Sequence, residues 1–116
     1  MHNFRDFNVW KRGTELVKNI YSATSDFPSE EKFGITSQIR RCAVSIPSNI
    51  AEGSGRKTDK DFSNFLSISL GSQYELETQL IVSSSLGFLQ EKVLEELLNE
   101  LNEIQRMTRA LIDKFS

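Results

Sequence analysis

Apolar residues recur every three or four positions along almost the whole chain, the spacing of amphipathic helices. In the first segment Phe7, Trp10, Leu16, Val17, Ile20 and Tyr21 share a stripe with Gly13, while Lys11, Arg12, Glu15 and Lys18 fall opposite. This predicts a helix from about Asp6 to Thr24. Asp26-Phe27-Pro28-Ser29 ends it, because Pro28 drives the preceding residue toward extended geometry. A second stripe comprises Ile35, Ile39, Cys42, Ala43, Ile46 and Ile50, interrupted by Pro47. Inside a helix Pro47 has no N–H for the Ala43 carbonyl and its ring crowds that turn, at ~3 kcal/mol unless neighbours compensate. The stripe resumes in phase at Ile50 and Ala51, which predicts one helix kinked at Pro47 and ending near Gly53. A true break, with Ser45 or Ser48 capping a short second piece, is the alternative.

Gly53-Ser54-Gly55 reads as a turn, and Thr58-Asp59-Lys60-Asp61 as the start of a third helix. Thr58 is placed to cap the amide three residues on, and Asp59 and Asp61 suit the positive end of the helix dipole. Its stripe uses Phe62, Phe65, Leu66, Ser69, Ser72, Leu76 and Leu80, with Ser67, Ser69, Gly71 and Ser72 forming a narrow waist that another helix can approach. Gly87 is the expected stop, since glycine tolerates the left-handed geometry of a helix C-terminus. The last helix is the most regular: Leu94, Leu97, Leu101, Ile104, Thr108, Leu111 and Phe115 alternate three and four apart, as in a bundle seam. No segment shows strand periodicity. The expectation is an all-α, antiparallel up-and-down four-helix bundle forming a single domain over residues 1–116. Val93 and Leu98 beside the fourth seam, and Leu70, Tyr74 and Ile81 off the third, exceed what one core needs, which argues for self-association.

The chemistry the residues exclude is broad. The chain has 116 residues, enough for one core, and a single Cys, so neither an internal disulfide nor a thiol-metal cluster is available. The only imidazole is His2, beside a terminus expected to be mobile. Neither the Glu-x-x-His pairs of a di-iron bundle nor a three-His zinc set is present. Cys42 has no His to activate it and reads as a buried structural thiol. Gly53-Ser54-Gly55-Arg56-Lys57 lacks the spacing and Lys-Ser/Thr ending of a phosphate loop. Glu75 and Glu77 point in different directions on a helix and do not make an acid–base pair; Glu75 is expected to border the interior and Glu77 to face solvent. No catalytic residue, metal, cofactor or small-molecule substrate is therefore expected. No signal-peptide core and no apolar run of ~20 residues is visible, which with the lone thiol points to a reducing cytoplasm.

Charge adds one positive lead. The formal net charge is -2, yet nine basic residues face six acidic ones through Lys57, a net +3, and five face ten afterwards, a net -5. Arg40 and Arg41 on the second helix, and Arg56 and Lys57 just past its end, are the candidate nucleic-acid contacts; repetition around a symmetry axis would strengthen the field. The competing reading pairs them with Glu52 and with carboxylates of the third or fourth helix. A protein-only scaffold meeting its partner on an apolar or acidic face, such as the Glu-rich fourth helix, is the alternative function.

Two stretches are distinctive: Arg40-Arg41-Cys42-Ala43-Val44-Ser45-Ile46-Pro47-Ser48-Asn49-Ile50-Ala51-Glu52-Gly53 with Gly55-Arg56, and Phe62-x-x-Phe65-Leu66-x-Ile68-x-x-Gly71-Ser72-x-x-Glu75-Leu76-x-Thr78-Gln79-Leu80 with Leu86-Gly87. Together they resemble the four-helix-bundle family of proteins encoded in intervening sequences of bacterial large-subunit ribosomal RNA genes. They are similar, more distantly, to the accessory variability protein of diversity-generating retroelements. The resemblance implies a ring-like homopentamer and, from the basic relatives, association with RNA or a nucleic-acid enzyme; this chain departs from those relatives in its acidic balance. Ser45, Pro47, Asn49, Glu52, Gly53, Gly71, Ser72, Glu75 and Gln79 are the motif residues. They are expected to act structurally, fixing the kink and a polar network between helices.

Overall fold

The computed structural model describes residues 1–116 and is helical throughout, with no strand. Four helices follow one another: α1 (Asn8–Ala23), α2 (Ile35–Ser54), α3 (Asp59–Ser85) and α4 (Glu91–Phe115), with 3-10 turns at Phe4–Asp6 and Ser29–Glu31. Each helix packs on its neighbours in sequence, and α1 closes against α4, as in an up-and-down bundle. The 27 residues of α3 span about 40 Å at 1.5 Å per residue, which accounts for the 43 Å long axis of the molecule.

Local chemistry sets the helix ends. Thr58 Oγ1 accepts from the Asp61 amide at 3.1 Å, the cap expected from the sequence. Gly87, at φ 84°, stops α3: its amide donates to the Ser84 carbonyl and the Phe88 amide to that of Ser83, satisfying carbonyls the helix leaves free. Thr24 Oγ1 donates to the Ile20 carbonyl at 2.8 Å where α1 ends. The start of α1 falls two residues later than its periodicity suggests, because Phe7 is extended behind the first 3-10 turn.

Helix α2 runs through Pro47 without a break and ends at Ser54. Side-chain bonds flank the proline turn: Ser45 Oγ donates to the Cys42 carbonyl at 2.6 Å and Asn49 Nδ2 to that of Ser45 at 2.8 Å. Pro47 itself is buried, and a Cβ added at Gly13 of α1 would lie 3.4 Å from its Cβ. Glycine on α1 therefore lets the proline face pack closely.

Leu16, Ile20, Ile39, Ile46, Ile50, Leu66, Leu76, Leu80, Leu101 and Ile104 are fully buried, each contributing about 1.5–3 kcal/mol relative to exposure. Aromatic rings close both ends of the bundle. Phe27 meets Phe88 at one end, and His2, Phe7, Phe62 and Phe115 cluster at the other. The expectation of a mobile terminus around His2 fails here: its amide donates to the Ser54 carbonyl at 2.7 Å and its Nε2 lies 2.9 Å from Asp59 Oδ1.

The buried polar bonds between helices are made by Ser69, Gln73 and Thr108, not by the motif residues expected to form that network. Gln73 is fully buried; its Nε2 donates to Ser69 Oγ at 3.3 Å and to Thr108 Oγ1 at 3.0 Å. Ser69 Oγ in turn donates to the Ile46 carbonyl across the α2–α3 contact at 2.9 Å. Gln105 of α4 donates to Glu77 at 2.8 Å, so Glu77 is half-buried and Glu75 exposed, the reverse of the expectation from sequence.

Two glycines of the motif differ in their surroundings. A Cβ at Gly53 would sit 2.4 Å from Phe65 Cβ and 3.0 Å from the Phe62 ring, whereas one at Gly71 would meet nothing within 4 Å. Phe65 Cβ is anchored to backbone, so the clash cannot be relieved by a rotamer change. Gly53→Ala is expected to lower unfolding stability by about 2 kcal/mol, overpacking outweighing the helical gain of alanine. Gly71→Ala is expected to raise the stability of the isolated protomer by about 0.5–1 kcal/mol. Urea denaturation of both variants checks the contrast.

Candidate functional site

Arg40 and Arg41 fall on the outer side of the first half of α2 because its buried stripe runs through Ile39, Cys42, Ala43 and Ile46. Arg40 is partly committed to structure: Nε donates to Thr24 Oγ1 at 2.9 Å, Nη2 to the Tyr21 carbonyl at 3.3 Å, and the guanidinium lies 4.4 Å from the Tyr21 ring centroid. Arg41 is exposed, and neither arginine makes an ion pair. With Lys32, Phe33, Thr36 and Tyr21 they line a cleft of about 590 Å³ between α1, α2 and the preceding turn. None of its lining residues is acidic.

The other two candidates lie elsewhere. Arg56 follows the far end of α2, about 20 Å from Arg41 at 1.5 Å per residue. It pairs with Glu52 at 3.3 Å and Asp61 at 4.0 Å, and its guanidinium lies 4.5 Å from the Phe65 ring centroid. Lys57 is exposed beside it, in a shallow cleft shared with Asp61. The sequence thus named four cations that one protomer divides into a carboxylate-free pair and a pair with acids at hand. Lys32 completes the first group and was missed, since in sequence it follows Glu30 and Glu31 and looks neutralised. The Glu31 carboxylate instead accepts from the Ile35 amide at 3.4 Å.

Of the motif residues, Pro47 and Gly53 are buried between helices, and Ser45, Asn49, Glu52, Gly71, Ser72, Glu75 and Gln79 line the outer edges of α2 and α3. Ser45, Asn49, Glu52, Glu75 and Gln79 make their side-chain hydrogen bonds within two short stretches: Ser45 and Asn49 to α2 carbonyls, Glu52 to Arg56, and Gln79 to Glu75 at 3.3 Å. Ser72 contributes its carbonyl to the Cys42 thiol, at 3.1 Å. A second cleft, between α2 and α3, shares Phe33, Ser37, Arg41 and Ser45 with the first and adds Glu75. A third, between α1 and α4, carries Asp26, Glu96 and Glu100 and is wrong in sign for a phosphate ligand. Arg12 and Glu103 brace α1 against α4, and that guanidinium holds the Glu103 carboxyl below its usual range, through the hydrogen bond first and its charge second.

No group of three His, Cys, Asp or Glu side chains is placed to hold a metal ion, and no helix is long and apolar enough to cross a membrane. Burial pushes the Cys42 thiol up to about 12, with the Glu75 carboxylate acting in the same direction. Below that value the sulfur stays protonated, and the thiolate is the reactive form. Iodoacetamide at pH 8, about four units below, is therefore expected to leave Cys42 of the folded protein unmodified and to alkylate it completely in denaturant; mass spectrometry reads both. Rapid labelling of the folded protein would contradict a buried neutral thiol.

A search among curated proteins finds no match. A family model described as 23S rRNA-intervening sequence protein matches residues 5–110, a span that enters all four helices and contains every motif residue and candidate cation named above. The chain belongs to the family of 23S rRNA-intervening sequence proteins.

Proposed function

We propose that this protein is a non-enzymatic, cytoplasmic, homo-oligomeric adaptor that associates with RNA through the outer face of α1 and α2. The observation that carries the reading is the cleft lined by Lys32, Arg40 and Arg41 with no acidic residue, in a chain whose net charge is -2. Cations outside any ion pair are free to meet phosphate, and the family's tie to ribosomal RNA genes agrees with such a ligand. Arg56 contributes less, because Glu52 and Asp61 already neutralise it.

Self-association is supported by the outer face of α3. Ile68, Val82 and Leu86 are exposed there, in helical register with Gly71. A glycine in mid-helix costs about 0.5–1 kcal/mol and returns no packing within the protomer, which fits a close approach by a second copy. The homopentamer implied by the family resemblance is the assembly we assign to this face.

Titrating binding of structured RNA against salt tests the reading. Log affinity is expected to fall linearly with log salt, and Arg41→Glu to weaken binding at least tenfold while leaving the melting temperature unchanged. Arg40→Ala is expected to lower both, since it also loses Thr24 and the Tyr21 carbonyl. Absence of RNA binding at low salt, with an intact oligomer, would contradict the adaptor and favour a protein-only scaffold.

A further inference from the structure

The cleft beside α2 contains more than charge. Phe33 stands at its edge 90% exposed, the most exposed aromatic ring of the chain, with the Lys32 ammonium 5.6 Å from its centroid. Nothing in the fold requires it: Phe33 belongs neither to the buried core nor to the residues packed against that core. Thr36 forms part of the floor of the same cleft at 8% exposure, with its hydroxyl closed off from solvent. The volume of about 590 Å³ lies within the ~300–1,000 Å³ of small-ligand clefts.

From this arrangement we infer that the cleft is a single-stranded nucleotide site: an unstacked base lies on Phe33, and its phosphate meets Lys32 and Arg41. This rests on the adaptor reading and narrows its ligand. Duplex recognition offers no use for an exposed ring, because paired bases are already stacked, whereas single strands are held by aromatic platforms beside cations. An acidic peptide would satisfy the cations and leave the ring idle. Arg40, held over Tyr21, forms the wall and contributes charge. Glu75 lines the neighbouring cleft that shares Arg41, and the Glu31 carboxylate is turned to the Ile35 amide.

The test uses the full chain and labelled ten-nucleotide oligouridine, oligothymidine and an RNA duplex, followed by fluorescence anisotropy. Both single strands are expected to bind more tightly than the duplex. Phe33→Ala should weaken single-strand binding roughly tenfold, the scale of one lost base stack, without changing the salt slope. Arg41→Gln should reduce that slope by about 0.7, one phosphate contact on a single strand. Phe33→Trp should retain affinity and show indole quenching on binding.

Nucleic-acid binding that depends on Arg41 but not on Phe33 would overturn the nucleotide site and leave the adaptor standing. Failure of all three probes at low salt would overturn both. Phe33-dependent binding of polyglutamate with no oligonucleotide binding would give the cleft to an acidic protein and likewise overturn the proposal.

Discussion

The close approach of α2 to its two neighbours sets the geometry on which the rest of the bundle depends. Gly53 lets α3 come so near that no Cβ would fit before Phe65, and Gly13 admits the buried Pro47 against α1. Between those contacts Ser69 bonds directly to the Ile46 carbonyl, which a larger side chain would prevent. Interiors of native density tolerate neither extra volume nor voids. The small residues therefore fix the rotation of α2, and with it the side on which its arginines emerge.

That rotation separates charge within a chain of nearly balanced composition. Arg40, Arg41 and Lys32 gather on the α1–α2 side, whereas Glu96, Glu100 and Asp26 border the α1–α4 cleft. Asn19 donates to both oxygens of Glu100 across this second interface, at 3.2 and 3.0 Å, and Arg12 bonds Glu103. The acidic helix is thus partly used in holding the bundle, and the basic face is left open. The division follows from packing and is invisible in the net charge.

Long-period features were legible in the sequence. Four helices, the Thr58 cap and the Gly87 stop all follow from spacing and backbone chemistry that act over a few residues. Interactions set by tertiary approach were not. Gln73 is assigned to no stripe, yet it is fully buried because Ser69 and Thr108 supply partners from two directions. Glu77 turns inward because Gln105 of α4 reaches it. His2 is tied down by aromatics from both ends of the chain. Among the candidate contacts, sequence proximity grouped Arg56 and Lys57 with Arg40 and Arg41, while helix length divides them. Phe33 carried no signal in one dimension: an exposed ring becomes informative only when it shares a cleft with cations.

Photo-crosslinking gives the most direct test of the account, that the open face of α1 and α2 receives nucleic acid. Single-stranded RNA containing 4-thiouridine would be irradiated with the intact oligomer and the adducts located by mass spectrometry. The account predicts adducts between Tyr21 and Ser45, centred on Phe33 and Arg41. Adducts confined to α4 or to Arg56 and Lys57, or none at an RNA concentration that saturates binding, would contradict it.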